Sequence, residues 1–294
     1  MSAVLTADAG DTEKISEIIH ECKRMGIEVL PPDINESFGP FTVVPQTDTH
    51  SAMIRFGLTT IKNFGEGISE AIIQERKEHG TYTSLQDFLS RITSRNLNKK
   101  SLEALIMSGS FDRFNERGVL MHNSEKLLAF HKEISQSKES AQDSLFDMGI
   151  ASIHDLVLTP AEPATKTEKL LWEKELLGVY VSGHPLDAYK EELAKRPRIG
   201  VLKKESRNGI PVVTAGMIES VRELLTKKGD RMAFVLLGDG METIELVAFP
   251  EVYRMHHDIF FVGSCIALQG KLSMRNEEPT IVIEKIKILE PISH

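Results

Sequence analysis

Cysteine is nearly absent from this chain of 294 residues: only Cys22 and Cys265 occur, far apart in sequence. Two distant cysteines make neither a zinc site nor a disulfide framework, and a reducing, cytoplasmic setting is the simplest expectation. Aromatic residues are 6% of the chain, with Trp172 the single tryptophan. Long apolar runs are missing as well. The longest, from about Ile259 to Leu268, is too short to span a bilayer and contains Gly263 and Ser264, so no membrane contact is expected. The start, Met1-Ser2-Ala3-Val4-Leu5, has no basic segment before an apolar one and does not read as a signal peptide.

Catalytic signatures are missing too. There is no Walker loop and no nucleophile elbow. The ten histidines are scattered, and His256-His257 has no His or carboxylate partner at helical spacing, so no metal site is expected. Ser182-Gly183-His184-Pro185 brings a serine and a histidine together, but near-adjacent residues do not form a triad, and a helix-ending turn explains them. Excess positive charge is also lacking, the formal net charge being -8. This argues against a protein coated in basic charge. It leaves nucleic acid open, because binding depends on local Lys/Arg clusters.

What is present is an ordinary hydrophobic share of 41% and a length that suits two modest domains. Residues 11 to 25 read as a helix with Ile15, Ile18, Ile19 and Cys22 on one face and Gly26 as its stop. A short strand, Ile27 to Leu30, ends at Pro31-Pro32, and Asn35 to His50 reads as loop. Several short helices are expected from Ile54 to Phe114, and another over 115 to 135. Residues 135 to 166 are rich in Ser, Gln, Ala, Thr and Pro and read as a linker. Helices follow over 166 to 179 and 185 to 195. From Pro211 the apolar period becomes strand-like. Five strands are expected: Val212 to Leu224, Arg231 to Leu237, Thr243 to Phe249, Cys265 to Met274 and Thr280 to Leu289. A short helix, Pro250 to His257, falls between the third and fourth, which is the order of an OB barrel.

Four constellations could carry function. Leu58 to Ile73 reads as helix, tight turn and helix, with Asn63, Gly65 and Gly67 in the turn and Lys62 beside it. Glycine and asparagine accept positive φ, and free N–H groups at the start of the second helix can hold a phosphate of any sequence. Any two packed helices can also need such a turn, so spacing alone leaves both readings open. A weaker copy spans Arg95 to Ser110, with Arg95, Lys99 and Lys100 before a helix; Gly109 there reads most simply as a C-cap. The third is Gln142-Asp143-Ser144-Leu145-Phe146 in the linker. Burying Leu145 and Phe146 on a partner would contribute roughly 3–6 kcal/mol before ordering costs, with Gln142 fixing register. The other reading is that the pair packs back on its own domain. The fourth is the barrel. Arg222, Lys227, Lys228 and Arg231 gather at its first hairpin, and Lys271 and Arg275 lie at the end of strand four. A basic groove with stacking aromatics holds single strands in OB folds, but Phe234 and Phe249 lie in apolar surroundings and are expected in the core.

These runs resemble the C-terminal part of the alpha subunit of bacterial DNA polymerase III, the C-family replicative polymerases. The resemblance rests on Glu21 to Ser37, on Ile54 to Ile73, and on Leu102 to Ile106 with Gly109-Ser110-Phe111-Asp112. It continues through Trp172 to Gly178, Ser182 to Leu186, Thr226 to Asp230 with Met232-Ala233-Phe234, and Phe249-Pro250. It implies a multidomain α+β chain: a helical tandem helix-hairpin-helix region followed by an all-β five-stranded OB barrel. Residues 1–50 would end a fingers-like region and 51–134 would grip duplex DNA. Residues 135–166 would hold the sliding-clamp motif at Gln142, Leu145 and Phe146, 167–209 would connect, and 210–294 would form the OB domain near single-stranded template. Other replicase subunits would be partners. Asn63 stands where the family usually has glycine, and Gly238-Asp239-Gly240-Met241 departs from its usual turn. The family's metal-binding palm, which would need Mg, is not among these residues. A non-catalytic portion of a replicative polymerase is therefore expected. The competing expectations are a repair nuclease or ligase fragment, which also pair hairpins with OB folds, and an RNA-binding OB accessory protein.

Overall fold

Two helices open the chain, α1 (Ser2–Ala7) and α2 (Thr12–Arg24). The second buries Ile15 and Cys22 on the face that their spacing defines, and Gly26, at φ 74°, ends the run in a left-handed turn. Three short strands follow: β1 (Val29–Leu30), β2 (Thr42–Val44) and β3 (Met53–Arg55). The central β3 runs parallel to β1 and antiparallel to β2. The loop expected from 35 to 50 thus contains a strand. Each run is too short to show a period-2 pattern, and each exists by its pairing in the sheet rather than by its own residue pattern.

The computed structural model describes residues 1–9, 11–47, 51–93, 96–143, 155–204, 207–275 and 278–289. They form two compact units, Met1–Ser182 and Gly183–His294, each with its own core. Residues 1 to 182 share one core, so the divisions expected at 51 and 135 fall inside a single unit. The second unit begins at Gly183 and holds the barrel together with the short helices before it.

The first unit continues with α3 (Glu66–His79), α4 (Leu85–Arg91), α5 (Lys99–Met107), α6 (Arg117–His122), α7 (Ser124–Asp143) and α8 (Lys166–Leu177). Phe56, Ile61, Ile68, Ile72, Phe88, Leu102, Leu105, Phe111 and Leu120 are among the buried side chains at its centre. Phe88 meets Tyr82 and Phe111 edge-on, each at 5.0 Å between ring centroids. Buried Arg76 of α3 donates to the carbonyls of Ile34 and Ser37, fixing that helix to the preceding loop.

The single helix expected over 115 to 135 is two helices, broken at Asn123. Its side chain donates to the carbonyls of Val119 and Thr159 and accepts from Thr159 N–H. The linker expected over 135–166 is helical as far as Asp143. From 155 onward it lies on the first unit, with Leu156 and Leu158 packed against the core. Leu156 N–H donates to Gln86, and Ala164 N–H to the Glu116 carboxylate. A Cβ on Gly118 would collide with the backbone of Glu162 to Ala164, so only glycine admits this approach.

In the second unit a 3₁₀ turn, Pro185–Tyr189, leads into α9 (Lys190–Ala194) and α10 (Ile199–Leu202). The barrel strands are β4 (Pro211–Leu225), β5 (Arg231–Gly238), β6 (Thr243–Ala248), β7 (Cys265–Arg275) and β8 (Glu278–Ile288), with α11 (Pro250–His256) between β6 and β7. They close in the order β4-β5-β6-β8-β7, with β6 and β8 parallel and the other pairs antiparallel. Alternation sets the core: Ala233, Val235 and Leu237 of β5 and Ile244, Leu246 and Ala248 of β6 point inward. Register shifts at Ile218/Ser220 and Gln269/Gly270 bend the strands that must curl. The Gly238 to Met241 loop is a tight turn around buried Asp239, whose carboxylate accepts from the N–H groups of Met241, Glu242 and Ile199.

Candidate nucleic-acid interface

A 3₁₀ turn, Leu58–Thr60, precedes the first hairpin. Buried Ile61 and Phe64 pin its ends, while Lys62, Asn63, Gly65, Glu66 and Gly67 are exposed between and beyond them. The Lys62 N–H donates to the Leu176 carbonyl at 2.9 Å, which fixes the turn to the end of α8. Asn63 is the one non-glycine with positive φ among the described residues, at 66°. That conformation is why glycine would also suit the position. Gly65 has φ -81° and caps α3, so positive φ is not what its glycine supplies. What it supplies is bareness: no side chain caps α3, and a Cβ there would meet nothing within 4 Å. The first-turn N–H groups of α3 are left for an outside acceptor at the positive end of the helix.

The second hairpin ends at α5. Leu97 is buried, and Asn98 caps α5 in a reciprocal box with Ser101. Lys99 and Lys100 occupy the first turn, which holds no acidic residue. Lysine at a helix N-terminus is electrostatically unfavourable unless an anion is near. Lys99 pairs with Glu125 at 3.3 Å, and Lys100 makes no ion pair with a described residue. Arg95 lies outside the described residues. Gly109 takes φ 86° beyond α5, the C-cap role. The two turns meet: a Cβ on Gly67 would stand 3.3 Å from Asn96 Nδ2. Lys62, Lys99 and Lys100 are all exposed.

On the barrel, Phe234 and Phe249 are not in the core. Phe249 is 49% exposed at the cap of α11, and Phe234 is half-buried on the outer face of β5. Parity carries the reason, because its neighbours Ala233 and Val235 point inward. Phe234 is the cross-strand partner of Arg222, whose guanidinium lies 5.2 Å from the ring centre. The Arg275 guanidinium lies 4.3 Å from the same ring and pairs with Glu245 at 3.1 Å. An aromatic ring flanked by two guanidinium groups can stack a base and neutralise the adjoining phosphate. Lys227 and Lys228 are exposed at the tip of the β4–β5 hairpin, and Arg231 pairs loosely with Glu223 at 3.7 Å. Lys271 is held by Glu284 at 2.8 Å, which raises it above its usual range.

Of the proposed docking residues, Gln142 lies in the last turn of α7 with no side-chain description, and Leu145 and Phe146 lie outside the described residues. Among the described residues no group of three or more His, Cys, Asp or Glu is placed to hold a metal ion. No described helix is long and apolar enough to cross a membrane.

Two hairpins, one leading into the uncapped start of α3 and one into α5, and a closed five-stranded barrel with an aromatic–arginine outer face define a helix-hairpin-helix and OB-fold chain of the nucleic-acid-binding class. Family models agree by region: the helix-hairpin-helix motif matches residues 26–119, and the OB-fold nucleic acid binding domain matches 212–289. Across several species the chain matches the C-terminal helix-hairpin-helix and OB region of bacterial DNA polymerase III subunit alpha. It is 36% identical to the Borreliella burgdorferi subunit, over 100% of this chain and 26% of that protein. For Bacillus subtilis the figures are 30%, 99% and 25%, and for Escherichia coli 31%, 93% and 24%. The chain thus spans about a quarter of the length of the curated relatives it matches.

Proposed function

We propose that this chain is a DNA-binding and sliding-clamp-binding portion of a bacterial replicative DNA polymerase, acting in DNA replication beside other replicase subunits. The hairpins at Lys62 to Gly67 and Arg95 to Lys100 take duplex DNA by its phosphates. The outer barrel face around Arg222, Phe234 and Arg275, with Lys227, Lys228 and Arg231, takes single-stranded template. Gln142, Leu145 and Phe146 dock on the clamp. Nucleotide transfer is left to the rest of the polymerase.

The observation that carries the DNA reading is the meeting of two exposed helix starts at Gly67 and Asn96 beside Lys100, which makes no ion pair with a described residue. Such a surface neutralises phosphates and reads no base edge. Linking weak duplex, single-strand and clamp contacts in one chain raises the effective concentration of each, which is the physical basis of processivity. The test is binding of the chain to labelled primed DNA at low salt, with clamp pull-down in parallel. Saturable binding to unrelated sequences is expected, and Leu145→Ala with Phe146→Ala should abolish clamp capture. Absence of DNA binding, or clamp capture unchanged by the double substitution, would overturn the corresponding half of the reading.

A further inference from the structure

The outer face of β4, β7 and β8 carries a second arrangement that the DNA reading does not use. Two cross-strand rows run side by side there, Val213–Gln269–Lys285 and Ala215–Ala267–Lys287. The second row begins with two alanines, whose methyl groups leave a dip beside longer neighbours. A hollow of about 330 Å³ opens at this place, lined by Val213, Ala267 and Gln269 with Arg196, Lys285 and Lys287 around it, while Ile286 between the two lysines belongs to the barrel core. Helix α9, which packs on β4, delivers Arg196 to the rim.

The charges are uneven in a telling way. Arg196 is paired with Glu192 at 3.0 Å, and Lys271 of β7 with Glu284 at 2.8 Å. Lys285 and Lys287 are exposed and make no ion pair with a described residue. Two residues apart on one strand, they stand roughly 7 Å from one another on the same face. Like charges so placed repel, and an anionic ligand relieves the repulsion. The floor is aliphatic, and Val213 is 47% exposed. No aromatic ring lines the hollow, so a base would find nothing to stack on. Carboxylates against the lysines and an aliphatic side chain over Val213 would satisfy both features.

We propose that this hollow docks an acidic peptide segment of a partner protein, seating an apolar side chain against Val213 and Ala267 with its carboxylates on Lys285 and Lys287. The exposed Gln269 amide is placed to meet the peptide backbone.

The test titrates the 294-residue chain into a fluorescein-labelled peptide of alternating aspartate and leucine, with a lysine-for-aspartate peptide as control. Saturable binding of the acidic peptide alone is expected. It should weaken about tenfold or more in Lys285→Glu with Lys287→Glu, and similarly in Val213→Asp. All three positions are exposed, so melting should not change, and Lys227→Glu with Lys228→Glu should bind the peptide as the parent does. No saturable binding, or binding indifferent to both sets of changes, would overturn the proposal. So would a single-stranded oligothymidylate that displaces the peptide and itself depends on Lys285 and Lys287, since the lysines would then serve nucleic acid.

Discussion

Gly67 and Asn96 face one another so closely that a Cβ on the glycine would stand 3.3 Å from the asparagine amide nitrogen. The neighbouring atom is the end of the exposed Asn96 side chain, which has only to give by a few tenths of an ångström to admit a methyl group at position 67. Gly67 is exposed in the first turn of α3, where alanine is the better helix former by up to about 1 kcal/mol. Gly67→Ala should leave the melting temperature unchanged or raise it. Gly67→Leu should cover the free N–H groups and weaken duplex DNA binding roughly tenfold, the scale of one lost charge-assisted hydrogen bond. Fluorescence anisotropy and a thermal melt on the same samples separate the two effects.

The barrel gives a complementary case. Phe234 points outward between Arg222 and Arg275. Phe234→Ala should cost about 1–3 kcal/mol of single-strand affinity, the range for losing one base-stacking platform. Duplex binding and the melting temperature should stay where they are. Arg222→Ala should give a smaller loss that shrinks further at high salt.

Stability of the first unit depends on a buried ion pair. Glu173 is fully buried and accepts from Arg117 at 3.0 Å and from the N–H groups of Val181 and Ser182 at 2.9 Å each. Asp112 holds the other side of Arg117 at 2.8 Å but is 47% exposed. Glu173→Ala removes the buried partner of Arg117 and the acceptor of two N–H groups, and should destabilise by about 3–5 kcal/mol. Asp112→Asn should cost about 1 kcal/mol or less, because solvent screens that pair. Urea unfolding of the two variants checks the contrast.

His131 adds a pH dependence. Burial holds its imidazole below the usual 6.5, and Nδ1 lies 3.2 Å from the Leu89 carbonyl oxygen. The unfolded chain then binds the proton more readily than the folded one. This contribution is fully present above about pH 6.5 and is lost as pH falls from there through the lower folded value. Melting temperatures of the parent should therefore drop between about pH 7 and pH 5.5, and His131→Gln should flatten that drop.

Much of the barrel is legible in the sequence, because β5 alternates over most of its length and glycine turns at Gly229 and Gly240 bound it. The same alternation places Phe234 outside, since it sits between inward Ala233 and Val235; reading its apolar neighbours instead of their parity sends it to the core. The β2–β3 pairing is not legible, because each strand has only three residues, too few to show an alternation. The docking of residues 155 to 165 is equally hidden. It depends on hydrogen bonds from Leu156 to Gln86, from Thr159 to Asn123 and from Ala164 to Glu116, at separations of 70, 36 and 48 residues. Composition reads such a stretch as linker because, apart from Leu156 and Leu158, its contacts are made largely by its backbone N–H groups. At the hairpins, residue types were readable, but the reason for them differs: Asn63 supplies the positive φ, and Gly65 and Gly67 supply bare surface.

The central claim is that Lys62, Lys99 and Lys100, beside the exposed starts of α3 and α5, bind DNA phosphates without reading bases. It is tested most directly by the slope of log K against log salt concentration for two duplexes of unrelated sequence. The parent chain should give the same negative slope on both. Replacing the three lysines by alanine should reduce its magnitude by roughly 0.9 for each phosphate contact removed, about 2–3 in all. An unchanged slope in that variant, or no binding by the parent even at low salt, would contradict the account.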